Sequence, residues 1–313
     1  MTAEPPLDLS RSRIIFVPGM KPKPPEEIHR RELLRAMLAG IGRVDRELAD
    51  RLSRQQEIFE LVSWTYQFHG SYRDIGLDLP GIEHAISAAE PSAEDIDEID
   101  SLNRRVQRWV HVVGDAFPFL IRWVAKPDVR LTMAEARRYL SDRDAVATAI
   151  RNQLAAVLAA AWQRSERIIL IGHSLGSVIA YDTLWQLTHE RNEPCRIDMF
   201  LTMGSPLATR FIRRHLQGAN KSGVDRYPHN IRRWVNFSAR GEMTAIHPAL
   251  EPTFGAMVQL GLLESLEDHT DFYNYFRGDT GLNVHKSYGY LVSAPVATTL
   301  AGWLREPLAA AQS

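Results

Sequence analysis

A serine hydroxyl does covalent chemistry only where the chain presents it openly and a neighbouring base removes its proton. Ser174 has that setting. The stretch Gly172-His173-Ser174-Leu175-Gly176 follows Arg167-Ile168-Ile169-Leu170-Ile171, an apolar run suited to a strand buried on both faces. It precedes Ser177 to Trp185, which reads as a helix. A strand turning sharply into a helix with serine at the tip is the context that a G-x-S-x-G nucleophile elbow requires. The glycines two residues either side let strand and helix backbones approach closely. The helix N-terminus aims N–H groups at charge developing beside the serine. Attack on a carbonyl through an acyl-enzyme is the chemistry predicted. A glycine-bracketed turn with no chemistry is the plainer alternative.

Such a serine needs a histidine base and an acid to orient it, which follow it in the order acid, then histidine. His285, in Asn283-Val284-His285-Lys286-Ser287-Tyr288, lies ahead of the last expected helix and is the favoured base. His247 and His269 are its rivals. For the acid, Glu242 stands just beyond the strand that ends at Phe237, on the sheet edge where open α/β sheets place their sites. Asp271, Asp279 and Asp225 compete with it. Two backbone donors must face the oxyanion. Leu175, which follows the serine, is one, and Met20, in the turn Pro18-Gly19-Met20, is the other. Ser205 and Pro206 should line the same edge as structural neighbours. No metal ligand set and no cofactor motif is read.

Behind these residues, strands are expected at Arg13–Val17, Phe59–Tyr66, Arg167–Ile171, Ile197–Met203 and Ile231–Phe237. A helix is expected from Glu26 to Leu52, with an apolar stripe from Leu34 to Leu52, and a closing helix from Pro295 to Leu304. Alternating strands and helices predict an α/β fold with a mostly parallel sheet covered on both faces. The core comprises 13–72 and 165–305. Between them, 73–164 is helical in pattern, with helices at Ser92–Val113 and Arg143–Gln163, and is expected to fold as a cap. Its segment 109–124, which includes Trp109, Phe117, Phe119 and Trp123, suits packing between cap and body. An acyl-chain tunnel or a surface touching membrane is the sharper reading.

The 313 residues carry 37 Lys and Arg against 38 Asp and Glu, a net charge of −1, which gives no basic field for nucleic acid. The single cysteine, Cys195, excludes an internal disulfide framework and fits a reducing compartment, with the cytoplasm as the expected location. Met1 to Pro6 lacks a signal-peptide pattern, and no apolar run approaches the length of a spanning helix.

The chain resembles an α/β-hydrolase of the lipase/esterase group. Val17-Pro18-Gly19, Ile171-Gly172-His173-Ser174-Leu175-Gly176, Met203-Gly204-Ser205-Pro206 and His285-Lys286-Ser287-Tyr288 occur in the order such proteins show. The resemblance implies a triad of Ser174, Glu242 and His285 and a small-molecule or lipid ester as substrate. Many relatives carry histidine where Pro18 stands, and aspartate is commoner at the acid position. No room precedes Arg13 for the family's early strands, which implies a sheet trimmed at one edge. Thioesterase, acyltransferase and amidase chemistry use the same machinery. A non-catalytic binding protein on a hydrolase fold is the reading from another class.

Overall fold

Successive residues of a strand point to opposite faces, so a run of consecutive apolar residues builds two cores at once. In Arg167–His173, Ile168 and Leu170 join one buried cluster while Ile169 and Ile171 join the other. The computed structural model describes residues 9–101, 127–142, 144–278 and 281–307. Its main sheet has six strands: β1 Ser12–Val17, β2 Phe59–Leu61, β3 Arg167–His173, β4 Ile197–Met203, β5 Ile231–Phe237 and β6 Ser265–His269. Their order across the sheet is β2-β1-β3-β4-β5-β6, and every pairing is parallel. Helices cover both faces. Val146–Gln163 and Leu175–His189 pack with the cluster on one side. Glu26–Val44, Ser287–Val292 and Ala294–Arg305 lie on the other.

The chain leaves β1 toward β2 on one side and returns as β3 on the other. The cleft between the C-terminal ends of β1 and β3 is therefore the topological switch point of the sheet, where open α/β sheets bind their ligands.

Several local expectations give way to longer-range forces. The helix expected over Glu26 to Leu52 breaks at Asp45, which is extended (φ −152°) and caps a second helix, Arg46–Ser53, by accepting the Leu48 N–H at 3.0 Å. The second strand stops at Leu61, beside the end of β1, with which it pairs, and Thr65–His69 turns helical. Strand β6 was not expected: it is an edge strand whose burial shows no alternation. The helix Ser287–Val292 was likewise not anticipated. Cys195 is buried just before β4.

Of the insertion, the helix Val146–Gln163 covers the sheet, and Leu79–Ser87 packs against Glu26–Val44. The helix expected from Ser92 is Ala93–Asp100 in the described part, with a reciprocal Ser92–Asp95 capping box. Its Ile99 packs with Tyr275, Leu282 and Val284. The aromatic-rich segment 109–124 lies outside the described residues. Among the described residues no single helix is long and apolar enough to cross a membrane.

Candidate active site

Ser174 sits at the C-terminal end of β3 and caps the helix Leu175–His189 with φ 54° and ψ −127°, a conformation that a non-glycine residue adopts only under constraint. The constraint is steric. A Cβ on Gly176 would overlap the Val17 carbonyl oxygen, and one on Gly172 would stand 2.6 Å from the Ser177 Cα. The Ser174 N–H donates to the Met203 carbonyl at 2.9 Å, and its own carbonyl accepts from Ser177 Oγ at 2.6 Å. Ser177 Oγ also pairs with Ser205 Oγ at 2.7 Å, so the buried Ser205 buttresses the turn. Ser174 as a residue is 9% exposed.

The loop after β1 closes against this serine. A Cβ on Gly19 would lie 2.8 Å from Ser174 Cβ and 2.9 Å from His173 Nδ1, so only glycine permits the approach. Trp64 Nε1 donates to the Pro18 carbonyl at 2.9 Å and holds the loop from behind. Among the described residues, neither the Met20 nor the Leu175 N–H has a hydrogen-bond partner. Leu175 follows Ser174 and Met20 follows the Gly19 that packs against it, so both amides are unspent donors in segments next to the serine.

Glu242 and His285, 43 residues apart, meet with Glu242 Oε2 2.8 Å from His285 Nδ1. Glu242 is 2% exposed, on a turn in which its N–H donates to the Ala239 carbonyl and Gly241 takes φ +73°. The far end of that loop is tied to the sheet by Asn236 Nδ2, which donates to the Pro248 carbonyl at 2.8 Å and to Asp268 Oδ1 at 2.7 Å. Burial alone would raise the Glu242 pKa. The charge and hydrogen bond of His285, the Thr244 N–H and the Tyr290 hydroxyl outweigh burial and hold it below the ordinary glutamate value. His285 is placed by Asn274, whose Nδ2 donates to the carbonyls of Val284 and Lys286 at 2.8 and 2.9 Å. A Cβ on Gly289 would overlap Asn274 Oδ1, which explains the glycine there.

The two halves of the site touch through His173 and Gly204. His173 Nε2 lies 2.7 Å from the His285 carbonyl and donates to it, leaving Nδ1 buried without a partner among the described residues. Burial, then the charges of His285 and Lys23, hold the His173 pKa well below the ordinary value, so its ring is neutral at pH 7. Gly204, the residue after β4 (φ +54°), passes so close to the pair that a Cβ would lie 2.9 Å from both Glu242 Oε2 and His285 Nδ1. Among the described residues no hydrogen bond joins Ser174 to His285. Such a contact commonly forms only in the substrate complex.

The rival groups lie elsewhere. Asp271 pairs with Arg240 at the surface, and among the described residues Asp225 offers only its carbonyl, to Trp185. His247 is exposed, and His269 stacks on Phe237 at the end of β6. Asp279 lies outside the described residues. His173, Tyr290 and Asn274 were not singled out from sequence. His173 stood inside the motif, whereas the other two had no local signal. Among the described residues no group of three or more His, Cys, Asp or Glu is arranged to hold a metal ion. No family model matches the chain, and neither does any curated protein or solved structure.

Proposed function

We propose that this chain is a serine hydrolase of the α/β-hydrolase type that cleaves carboxylic esters, lipid acyl esters among them. The observation that carries this reading is the convergence, at the switch point of a parallel sheet, of a constrained serine and a buried carboxylate paired with a half-buried imidazole. In the reaction Ser174 Oγ attacks the ester carbonyl while His285 Nε2 takes its proton. Glu242, bonded to Nδ1, fixes the tautomer and stabilises the imidazolium. The amides of Leu175 and Met20 receive the charge on the carbonyl oxygen. Collapse of the tetrahedral adduct expels the alkoxide, which leaves as the alcohol with the proton from His285. Water, deprotonated by His285, then releases the acid and restores Ser174. A thioester, or a second alcohol in place of water, would pass through the same steps.

The test is labelling of the purified protein by a fluorophosphonate probe. Wild type is expected to label, Ser174→Ala not at all, and His285→Ala at least 100-fold more slowly. Undiminished labelling of Ser174→Ala would overturn the assignment. A wild type that stays unlabelled while a control hydrolase reacts would favour a binding protein on this fold.

A further inference from the structure

The connection from β4 to β5 lies along the helix Leu175–His189 and walls a recess that the ester chemistry does not use. Its main chain is fixed to that helix. The Gln217 N–H donates to Asp182 Oδ1 at 2.8 Å, Trp185 Nε1 to the Asp225 carbonyl at 3.0 Å, and Asn230 Nδ2 to the Leu184 carbonyl at 3.1 Å. Gly218, at φ +77°, lets the chain pass where a Cβ would overlap Trp185 Nε1. The recess, about 270 Å³ and partly open to solvent, is lined by Tyr181, Leu216, Tyr227 and Phe254 together with Arg213 and Arg226. Neither Ser174, Glu242 nor His285 belongs to its walls, and Tyr181 stands roughly 10 Å along the helix from the serine.

This lining is rich in donors and contains no carboxylate. Neither guanidinium makes a hydrogen bond or an ion pair among the described residues, and Arg213 Nε is buried without an acceptor there. The hydroxyls of Tyr181 and Tyr227, residues 2% and 8% exposed, likewise have no partner among the described residues. Burial, then the neighbouring Asp182 and Tyr227, push the Tyr181 pKa well above its ordinary value, so this phenol stays a donor. The nearby acids do not neutralise the arginines. Asp182 is engaged by the Tyr139 hydroxyl and the Gln217 N–H, and the exposed Asp225 pairs with neither arginine among the described residues. From Arg210 to Arg226 the chain carries five cations against Asp225 alone, in a protein of net charge −1.

A buried donor without an acceptor costs stability, and two cations lining one recess repel each other. An anion in the recess relieves both. Guanidinium forks match phosphate oxygens two at a time. Two cations and two phenols suit a dianion with oxygens on several sides, which favours phosphate over the flatter, singly charged carboxylate. We propose that Arg213 and Arg226, with the Tyr181 and Tyr227 hydroxyls, bind the phosphate group of a phosphate monoester whose organic part rests on Leu216 and Phe254. The site is separate from Ser174 and does not depend on the hydrolase reading.

Calorimetric titration of the full chain, in a phosphate-free buffer of fixed ionic strength, tests the site with phenyl phosphate, inorganic phosphate and benzoate. Phenyl phosphate is expected to bind one to one. Inorganic phosphate should bind at least threefold more weakly, and benzoate at least tenfold more weakly. Arg213→Met and Arg226→Met should each weaken phenyl phosphate by tenfold or more, whereas Arg214→Met, at an exposed neighbour, should bind it as wild type does. Saturating phenyl phosphate should raise the Tm of wild type and Arg214→Met but not that of the other two. Arg213→Gln or Arg226→Gln takes the place of a methionine variant that does not fold, with the same expected loss. Absence of binding to wild type overturns the site. An equal loss in Arg214→Met also overturns it, by tracing the binding to diffuse charge. Benzoate bound as tightly as phenyl phosphate overturns the choice of phosphate. Phosphatidylcholine vesicles containing phosphatidic acid then tell the source of the monoester. Competition with phenyl phosphate marks a lipid headgroup, and an unchanged affinity marks a soluble phosphate.

Discussion

The two halves of the candidate site are built on different principles. The serine half is local: five consecutive residues, a strand end and a helix start force Ser174 into its conformation, and the glycines merely stand aside. The acid–base half is assembled from afar. Glu242, His285 and Tyr290 come from separate loops and helices and meet in a polar cluster around a buried carboxylate, in which each group depends on the others. A local device fails together with the fold that makes it. A remote cluster can fail while the fold survives. Substitutions in the serine half should therefore lose stability and activity together, and those in the remote half should lose activity ahead of stability.

The largest effect is expected at Gly176. Any Cβ there collides with the main chain of Val17 and Pro18, which cannot rotate away. Gly176→Ala should cost about 3 kcal/mol or more and abolish fluorophosphonate labelling at the same time. Thermal denaturation and labelling, measured on one preparation, should fall together. Retained stability with lost labelling would show that the elbow bends independently of the sheet.

Glu242→Gln should do the reverse. The amide oxygen still accepts from the Thr244 N–H, but the nitrogen takes the place of Oε2, which faces both His285 and Tyr290, so it donates to His285 Nδ1 and forces the proton onto Nε2. An imidazole in that tautomer cannot accept from Ser174. Labelling should slow by roughly 10³- to 10⁴-fold, with a fall in stability well short of that in Gly176→Ala. A parallel collapse of stability would make Glu242 a structural anchor first.

The same contrast decides what could be read from the chain. The elbow was legible because its signal is a strand, a turn and a helix in sequence. β3, β4 and β5 were legible because their apolar runs are buried on both faces. β6 was not, since Ser265, Glu267 and Asp268 give an edge strand no hydrophobic pattern, and only pairing with β5 defines it. Glu242 could be placed past the end of β5 but not ranked decisively above Asp271, because a loop carboxylate does not announce its burial. Asp271 is solvated beside Arg240, whereas Glu242 is enclosed by contacts made across 43 and 48 residues. Tyr290 and Asn274 escaped notice for the same reason: their partners are neighbours only in space.

Tyr290→Phe gives the smallest effect and the sharpest reading of the remote cluster. The hydroxyl donates to Glu242 Oε2 at 2.9 Å and accepts the Ala239 N–H at 3.1 Å. Burial and the Glu242 charge push its pKa well above the ordinary value, so it stays a neutral donor across the working range. Its loss leaves Ala239 N–H without that acceptor and Glu242 with one donor fewer, a cost of about 2 kcal/mol near neutral pH. Labelling should slow by about tenfold, far less than in Glu242→Gln. The folded-state pKa of Glu242 is lowered, so its contribution to stability is present above the ordinary glutamate pKa. That contribution is lost as pH falls through the folded value. Removing a donor raises the folded value in the variant, so the variant should lose this stabilisation at higher pH than wild type. Once Glu242 is protonated in both proteins, the proton-linked part of their difference vanishes. Denaturant unfolding of the two proteins across the acid range should thus show a gap that is widest at neutral pH and narrows on acidification. A gap that does not change with pH would mean that Tyr290 acts through the Ala239 N–H alone, and that the carboxylate is held by His285 and Thr244 without its help.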